Sequence, residues 1–436
     1  MRLKSFRGGI HPSTFKEITQ SESITIVPPP KVAITPLSQH TGAPSEPIVE
    51  PGQVVKAGER IAEPNGFVSV PQHASISGKV VEIANHPHPV LGKKTSAVVI
   101  ESDGEDAWMP FAKRDVSNLS KEEIISAISE GGVVGLGGAA FPTHVKLSPP
   151  PDKTIDTVVI NGAECEPYIT CDHRIMLEKT EEILKGIEVV RKVLAPERCV
   201  IGIEVNKYDA VEMFLKASGD SGIEVVGLKV KYPQGDEKQM IEALLGREVP
   251  SGGLPMDVGV VVQNVGTIYS IWEAVAEGKP LVERVITVTG KGVRRPSNVL
   301  VRIGTPVKDI ITACGGYSNG VGRLLMGGPL MGISQYTDEV PVLKGTSAIL
   351  VQAEDEVRTE PTRSCIRCAR CVDVCPVRLL PAELAKLAEK GRFEACNELG
   401  VLDCRECGCC SYVCPSKINI VHLVKYAKME ILSKKS

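Results

Sequence analysis

Cys365-Ile-Arg-Cys368-Ala-Arg-Cys371-Val-Asp-Val-Cys375-Pro376 is repeated, spacing for spacing, by Cys404-Arg-Glu-Cys407-Gly-Cys-Cys410-Ser-Tyr-Val-Cys414-Pro415. Eight of the chain's fourteen cysteines fall in these two runs. A tetrahedral zinc site wants two C-x2-C pairs or added histidines. Here a third cysteine follows two residues later, and then x3-C-P, which suits the corner of a cube better. Disulfides need an oxidising compartment, and neither a signal peptide nor a small secreted format is visible.

Three closely spaced thiolates holding one four-iron cube, with the fourth crossing to a second cube, is the bacterial two-cluster pattern. It assigns Cys365, Cys368, Cys371 and Cys414 to one 4Fe-4S cluster and Cys404, Cys407, Cys410 and Cys375 to the other. Cys396 and Cys409 stand outside the register, and Cys165, Cys171, Cys199 and Cys314 read as buried free thiols. A chain so equipped moves single electrons.

Outward from these runs, residues 351–363 are polar and charged and read as a linker, and Ile418 to Lys434 as a closing amphipathic helix. At 436 residues the chain is long enough for about three domains. Its 42% hydrophobic and 24% charged residues are ordinary for a globular protein. A net charge of −3 without a basic cluster argues against nucleic acid. No stretch approaches the roughly twenty apolar residues of a bilayer span. The start, Met1 to Gly9, lacks the apolar core of a signal peptide, so a cytoplasmic location is expected.

Residues 31–104 read as short strands between turns, with Asn65-Gly66 as a two-residue hairpin signal before a strand Phe67–Val70. This resembles the barrel-sandwich hybrid of biotinyl and lipoyl carriers, with Asn65-Gly66 where a carrier has its lysine. A structural or docking role is therefore expected, and His86-Pro-His88 reads as loop. Ser120 and Glu123 have capping-box spacing ahead of Ile124, Ile125 and Ile128, and Gly131-Gly132 ends that helix. Apolar β-rich runs then follow at Thr157–Ile160, Cys199–Val205, Ile223–Val230 and Val258–Val262. Helical patterns at 174–194, 207–218, 236–246 and 267–277 alternate with them, predicting an α/β domain with a largely parallel sheet. Residues 284–332 read as a small β-plus-helix module.

The central domain carries Gly131-Gly-Val-Val-Gly-Leu-Gly-Gly-Ala-Ala-Phe-Pro142. Glycines let a backbone approach phosphate closely. The loop follows a helix and runs into proline, which excludes the dinucleotide fingerprint, since that follows a strand and opens a helix. Asn161-Gly-Ala-Glu-Cys-Glu-Pro167, Tyr232-Pro-Gln-Gly-Asp-Glu237 and Gln263-Asn264 each follow a predicted strand. Ligands of open α/β sheets bind beyond the carboxyl ends of strands, so these loops are expected to share one crevice.

Those four segments resemble the FMN and NADH segments of the flavoprotein subunit of complex I, which also carries a β-grasp module. The order of parts, with Phe6-Arg-Gly-Gly-Ile-His-Pro12 at the start, resembles the RnfC family, the soluble subunit of Rnf electron-transport complexes. The resemblance implies a multidomain α/β and α+β chain. Its parts are an N-terminal segment (1–30), a barrel-sandwich hybrid (31–110), an FMN/NADH domain (115–280) and a β-grasp module (281–350). The 351–363 linker then leads to a helical two-cluster ferredoxin-like domain (364–436). It also implies that Gly135, Gly137 and Gly138 line FMN, with Lys146 near its phosphate and Asn161, Glu164 and Asn264 hydrogen-bonding the flavin. Phe141, Glu166, Tyr232 and Glu237 would face NAD(H), and Gly235 would let the backbone pass close. Leu136 and Ala163 depart from the complex I pattern, which has arginine and aspartate there.

On this reading hydride passes between NAD(H) and FMN, and single electrons between FMN and the two 4Fe-4S clusters. The expected activity is that of a ferredoxin:NAD oxidoreductase subunit, with ion transport in membrane subunits and a peripheral place on the cytoplasmic face. Other Rnf-type subunits, membrane and ferredoxin-like, are the expected partners. Glu164 and Glu166 suggest a preference for NADH over NADPH, unless they only hydrogen-bond local backbone. A microcompartment-type cobalamin reductase and a cluster-bearing scaffold without active flavin are the alternatives.

Overall fold

Ser120 Oγ accepts the amide of Glu123 while the Glu123 carboxylate accepts the amide of Ser120, and the helix Lys121–Glu130 starts there and ends on Gly131. The computed structural model that contains it describes residues 3–318, 320–357 and 360–434. Parts of four expected segments lie outside the described residues: Met1 and Arg2, Asn319, Arg358 and Thr359, and Lys435 and Ser436.

The four β-branched runs of the centre form one all-parallel sheet, in the order Ile223–Leu228, Arg198–Glu204, Thr157–Gly162, Val260–Asn264. Strands this apolar must be covered on both faces. On one face the helices Thr180–Leu194 and Val265–Ala276 pack so closely that a Cβ on Gly186 would come within 2.4 Å of the Ile268 carbonyl oxygen. The single helix expected over 174–194 is two, Cys171–Glu178 and Thr180–Leu194. Lys179 leaves the helical region (φ −133°), and the Thr180 hydroxyl bonds back to the Met176 carbonyl.

A six-stranded mixed sheet follows, in the order Thr25–Ile26, Ser297–Arg302, Glu283–Thr289, Ala348–Ala353, Val321–Met326, Ile333–Gln335. Its helix is Val307–Ala313. The segment expected as a linker thus begins inside the strand Ala348–Ala353, which is the buried neighbour of Glu283–Thr289. The edge strand Thr25–Ile26 belongs to the N-terminal segment, which straps the sheet to the nucleotide domain.

Residues 32–102 form two small sheets around Ala33, Val55, Ile61, Ile76, Val80, Val98 and Ile100. The tight turn expected at Asn65-Gly66 is absent. Strands Arg60–Glu63 and Gln72–His73 do pair, but the whole stretch 64–71, including Phe67–Val70, is loop. Ser69 draws it inward by accepting the Asn65 amide and donating to the Ala43 carbonyl. The histidine segment does not form the expected loop throughout: His86 and Pro87 end the strand Gly78–Pro87.

The last part is helical, with Pro381–Glu389 and Ile420–Ser433 packed through Leu384, Ala388, Val424 and Ala427. Each cysteine run turns into a one-turn helix after a left-handed residue, Ala369 (φ 59°) in the first and Gly408 (φ 78°) in the second. Cys396 is core, fully buried beneath Leu384. Among the described residues no helix is long and apolar enough to cross a membrane.

Candidate electron-transfer site

Parallel pairing puts Asn161 directly opposite Asn264 at the carboxyl ends of neighbouring strands. Asn264 caps the following helix, its Oδ1 accepting the amides of Gly266 and Thr267, and its Nδ2 donates to Asp172 over 2.6 Å. Asn161 Nδ2 donates to the Gly235 carbonyl over 2.8 Å, tying the 161–167 loop to the 232–237 loop. The glycine loop closes on itself through Gly135 and Phe141, with the Leu136 amide donating to Thr267 Oγ1. Its tip therefore lies over Asn264, where a Cβ on Gly137 would stand 3.4 Å from the Asn264 Cβ.

Gly137, Gly138 and Ala139 are exposed at that tip, and among the described residues nothing accepts a hydrogen bond from their three successive amides. Gly138 has φ 107°, and a Cβ there would meet nothing within 4 Å. Free consecutive amides on a glycine bend form an anion-binding concavity, so the tip fits a phosphate group. Lys146 is not free beside it, because its ammonium is ion-paired to the Glu237 carboxylate. Two groups expected on different ligands are thus held together.

Three residues expected at the ligand turn inward. Glu164 accepts the amides of Asp172 (2.7 Å) and His173 (3.3 Å), capping the helix Cys171–Glu178. Burial raises its carboxyl above the usual range, against the pull of nearby Lys16. Glu166 accepts the amides of Leu330 and Met331, and a Cβ on Gly328 would fall 2.2 Å from its Cγ. Burial raises this carboxyl too. Both carboxylates serve local backbone, so the basis for expecting discrimination against NADPH falls away. Tyr232 is 2% exposed and faces the second cysteine run, its hydroxyl donating to the Cys407 carbonyl over 2.8 Å. Phe141 is half-buried, and Gly235 packs on Cys165, whose Sγ accepts its amide.

Sequence reasoning missed the buried cations beneath these loops. Lys16 donates to the carbonyls of Glu166 and Ile169, and Lys207, with no exposed side chain, lies 3.6 Å from Glu204. Lys344 donates to the carbonyls of Pro71 and Gly132, where three of the structural units meet. Burial pulls its amine down to about 7. Periodicity cannot flag such residues, since a lone lysine in a polar loop looks like a solvated one.

The cysteines gather as two quartets. One hollow is lined by Cys375, Cys404, Cys407 and Cys410, and another by Cys365, Cys368, Cys371 and Cys414. Each run thus sends its fourth cysteine to the other hollow. Thiolates on one zinc lie about 3.8 Å apart. Among the described residues, the His/Cys/Asp/Glu groups whose ligand atoms all lie within 4.8 Å of one another amount to Glu164, Cys171 and Asp172, so neither quartet closes tightly enough for zinc. The donor set, four thiolates spread around a mostly apolar hollow, fits a 4Fe-4S cube. Arg405 reaches from the second run to Asp236 over 2.7 Å, and Gly9 donates to Val374, so this quartet is fastened against the nucleotide domain.

Four family models match the chain in order. These are an RnfC barrel sandwich hybrid domain over residues 4–105, a Nuo51 FMN-binding domain over 128–273, an SLBB domain over 285–334 and a 4Fe-4S dicluster domain over 364–418. Three relatives, each the RnfC-type member of its complex, match nearly the whole chain. Over 431 residues the chain is 48% identical to the one from the proton-translocating ferredoxin:NAD(+) oxidoreductase complex of Clostridium ljungdahlii, covering 98% of this chain and 94% of that one. It is 45% identical over 434 residues to the one from the Na(+)-translocating complex of Acetobacterium woodii, covering 99% and 98%. The one from the ion-translocating oxidoreductase complex of Rhodobacter capsulatus is 41% identical, covering 99% and 84%. A chain of the air-oxidized NAD+-reducing [NiFe]-hydrogenase is 17% identical with a TM-score of 0.50 over 65% of this chain and 55% of that one, a likeness of fold alone.

Proposed function

Since the chain belongs to the RnfC family of ion-translocating ferredoxin:NAD(+) oxidoreductase complexes, we propose that it is the subunit that exchanges electrons with NAD(H). When bound, FMN supplies the exchange between two-electron hydride chemistry and the one-electron chemistry of 4Fe-4S clusters. The protein's part is to place and insulate these groups. The free amides of 137–139 would hold the FMN phosphate, and Gly135, Gly137, Asn161, Gly235 and Asn264 would present backbone and amide groups to the ring. Lys146 and Glu237 sit at the rim, where opening of their ion pair would give one cation and one carboxylate to the incoming nucleotides. Glu164 and Glu166 fix the shape of the loops from beneath.

The observation that carries the reading is the single loop, 232–237, that touches both halves. Gly235 meets Asn161 at the sheet, and Tyr232 and Asp236 meet Cys407 and Arg405. The Cys375–Cys404–Cys407–Cys410 quartet is accordingly the one nearer the flavin. The sandwich and β-grasp-like parts serve docking and scaffolding, with membrane and ferredoxin-like iron–sulfur subunits as partners on the cytoplasmic face. NADH-driven ferricyanide reduction by the full chain, with and without added FMN, tests the proposal. Saturable turnover that requires FMN is expected, and turnover absent or indifferent to FMN would refute it.

A further inference from the structure

The fold covers the two quartets unequally. Cys407 and Cys409 are buried against Tyr232 and Ile10, whereas Cys368 is exposed, as is every other residue from Pro361 to Arg370 except Cys365. Over this open quartet two large apolar side chains face solvent, Ile366 at 68% and Leu380 at 47% exposure. Arg363, Arg367, Arg370 and Arg378, all exposed, lie on or close to the same run. Among the described residues none of the four has a carboxylate partner. Arg174, Arg191, Arg198, Arg247, Arg302 and Arg405 all do. Four unpaired arginines in a chain of net charge −3 mark a local positive face on an acidic protein.

We propose that this face docks an acidic redox protein domain, whose own one-electron centre is thereby brought to the Cys365–Cys368–Cys371–Cys414 quartet. This deepens the function proposed above and rests on its cubane reading. Apolar residues at the middle with arginine around them is the anatomy of a specific interface. Guanidinium groups are weakly hydrated and offer forked donors to carboxylates, so they suit a contact that must form and release. Opposite charge speeds encounter and sets orientation. The covered quartet has no such face, because the 232–237 loop occupies it. In the exchange one electron leaves one centre as one enters the other, and no bond is made or broken. A competing role for the arginines is to offset the negative charge of the cluster itself, which would act on its reduction potential alone.

The test uses the full chain, reconstituted anaerobically with iron, sulfide and FMN, and a soluble acidic 2[4Fe-4S] ferredoxin as probe. Binding is measured from about 50 to about 300 mM salt for the wild type, R367Q/R370Q and R367K/R370K. Wild-type affinity is expected to fall about tenfold or more across that range. At low salt R367Q/R370Q should lose about tenfold and R367K/R370K should recover much of it. Iron content, NADH–ferricyanide turnover and cluster midpoint potentials should match the wild type in both variants. Salt-independent binding, equal binding by R367Q/R370Q, or equally tight binding of basic cytochrome c would overturn the proposal. So would shifted potentials with unchanged binding. Salt-sensitive binding by a wild-type chain inert to NADH would support the dock while failing the nucleotide reading.

Discussion

The Tyr232 hydroxyl donates to the Cys407 carbonyl across 2.8 Å, joining a loop of the nucleotide domain to the backbone between two cluster cysteines. Both groups are buried, and burial with nearby acidic groups keeps the phenol protonated. A hydrogen bond at such a place fixes how far one redox group stands from the next.

Removing only that hydroxyl, in Tyr232→Phe, leaves a buried carbonyl without its donor, a cost of about 1–3 kcal/mol. Hydrogen exchange should report it as lost protection across 404–410 with iron content retained. Protection equal to the wild type would mean that the bond fixes nothing.

The crossed quartets make a sharp chemical prediction. In Cys414→Ser the thiols of Cys365, Cys368 and Cys371 should become open to iodoacetamide, while Cys404, Cys407 and Cys410 stay protected and iron falls by about half. Cys375→Ser should reverse the pattern. Alkylation confined to the mutated run itself would show that each run holds its own cube.

Gly138 is left-handed and points toward open space at the loop tip. In Gly138→Val the added side chain should strain the bend by about 1–3 kcal/mol and crowd the free amides. FMN affinity, followed by flavin fluorescence quenching, should drop about tenfold or more with the iron signal unchanged. Wild-type affinity would place the phosphate elsewhere.

Lys344 gives a pH signature. Its amine is pulled down to about 7 by burial, from the usual 10.5, so between these values the unfolded chain binds the extra proton. Stability should therefore rise as pH goes from about 7 to about 10, by at most about 1.4 kcal/mol per unit, and be flat in this respect below 7. Lys344→Met should lose that slope, read as the difference in urea midpoint between wild type and variant at several pH values. Parallel curves would mean that the amine is charged in the folded state.

Elements with strong local signals were legible in the sequence. The box at Ser120 and Glu123, the β-branched runs of the parallel sheet and the spacing of the eight cysteines each depend on neighbours close in the chain. Misreadings came where distant contacts decide. Asn65-Gly66 carries hairpin chemistry, yet Ser69 and Ala43 draw the stretch into a longer loop. Glu164, Glu166 and Tyr232 stand in ligand-like motifs, but each satisfies a backbone group brought from elsewhere in the fold. The strand Ala348–Ala353 was missed in part because its apolar core is short and runs straight into acidic residues.

Anaerobic titration of the reconstituted full chain with NADH bears most directly on the central claim, that one chain brings nicotinamide, flavin and a cysteine-held cube into a continuous line. Bleaching of the flavin band at near-stoichiometric NADH, lost on Gly138→Val, is the expected result. A flavin band that persists under excess NADH, in a chain carrying its full iron, would contradict it.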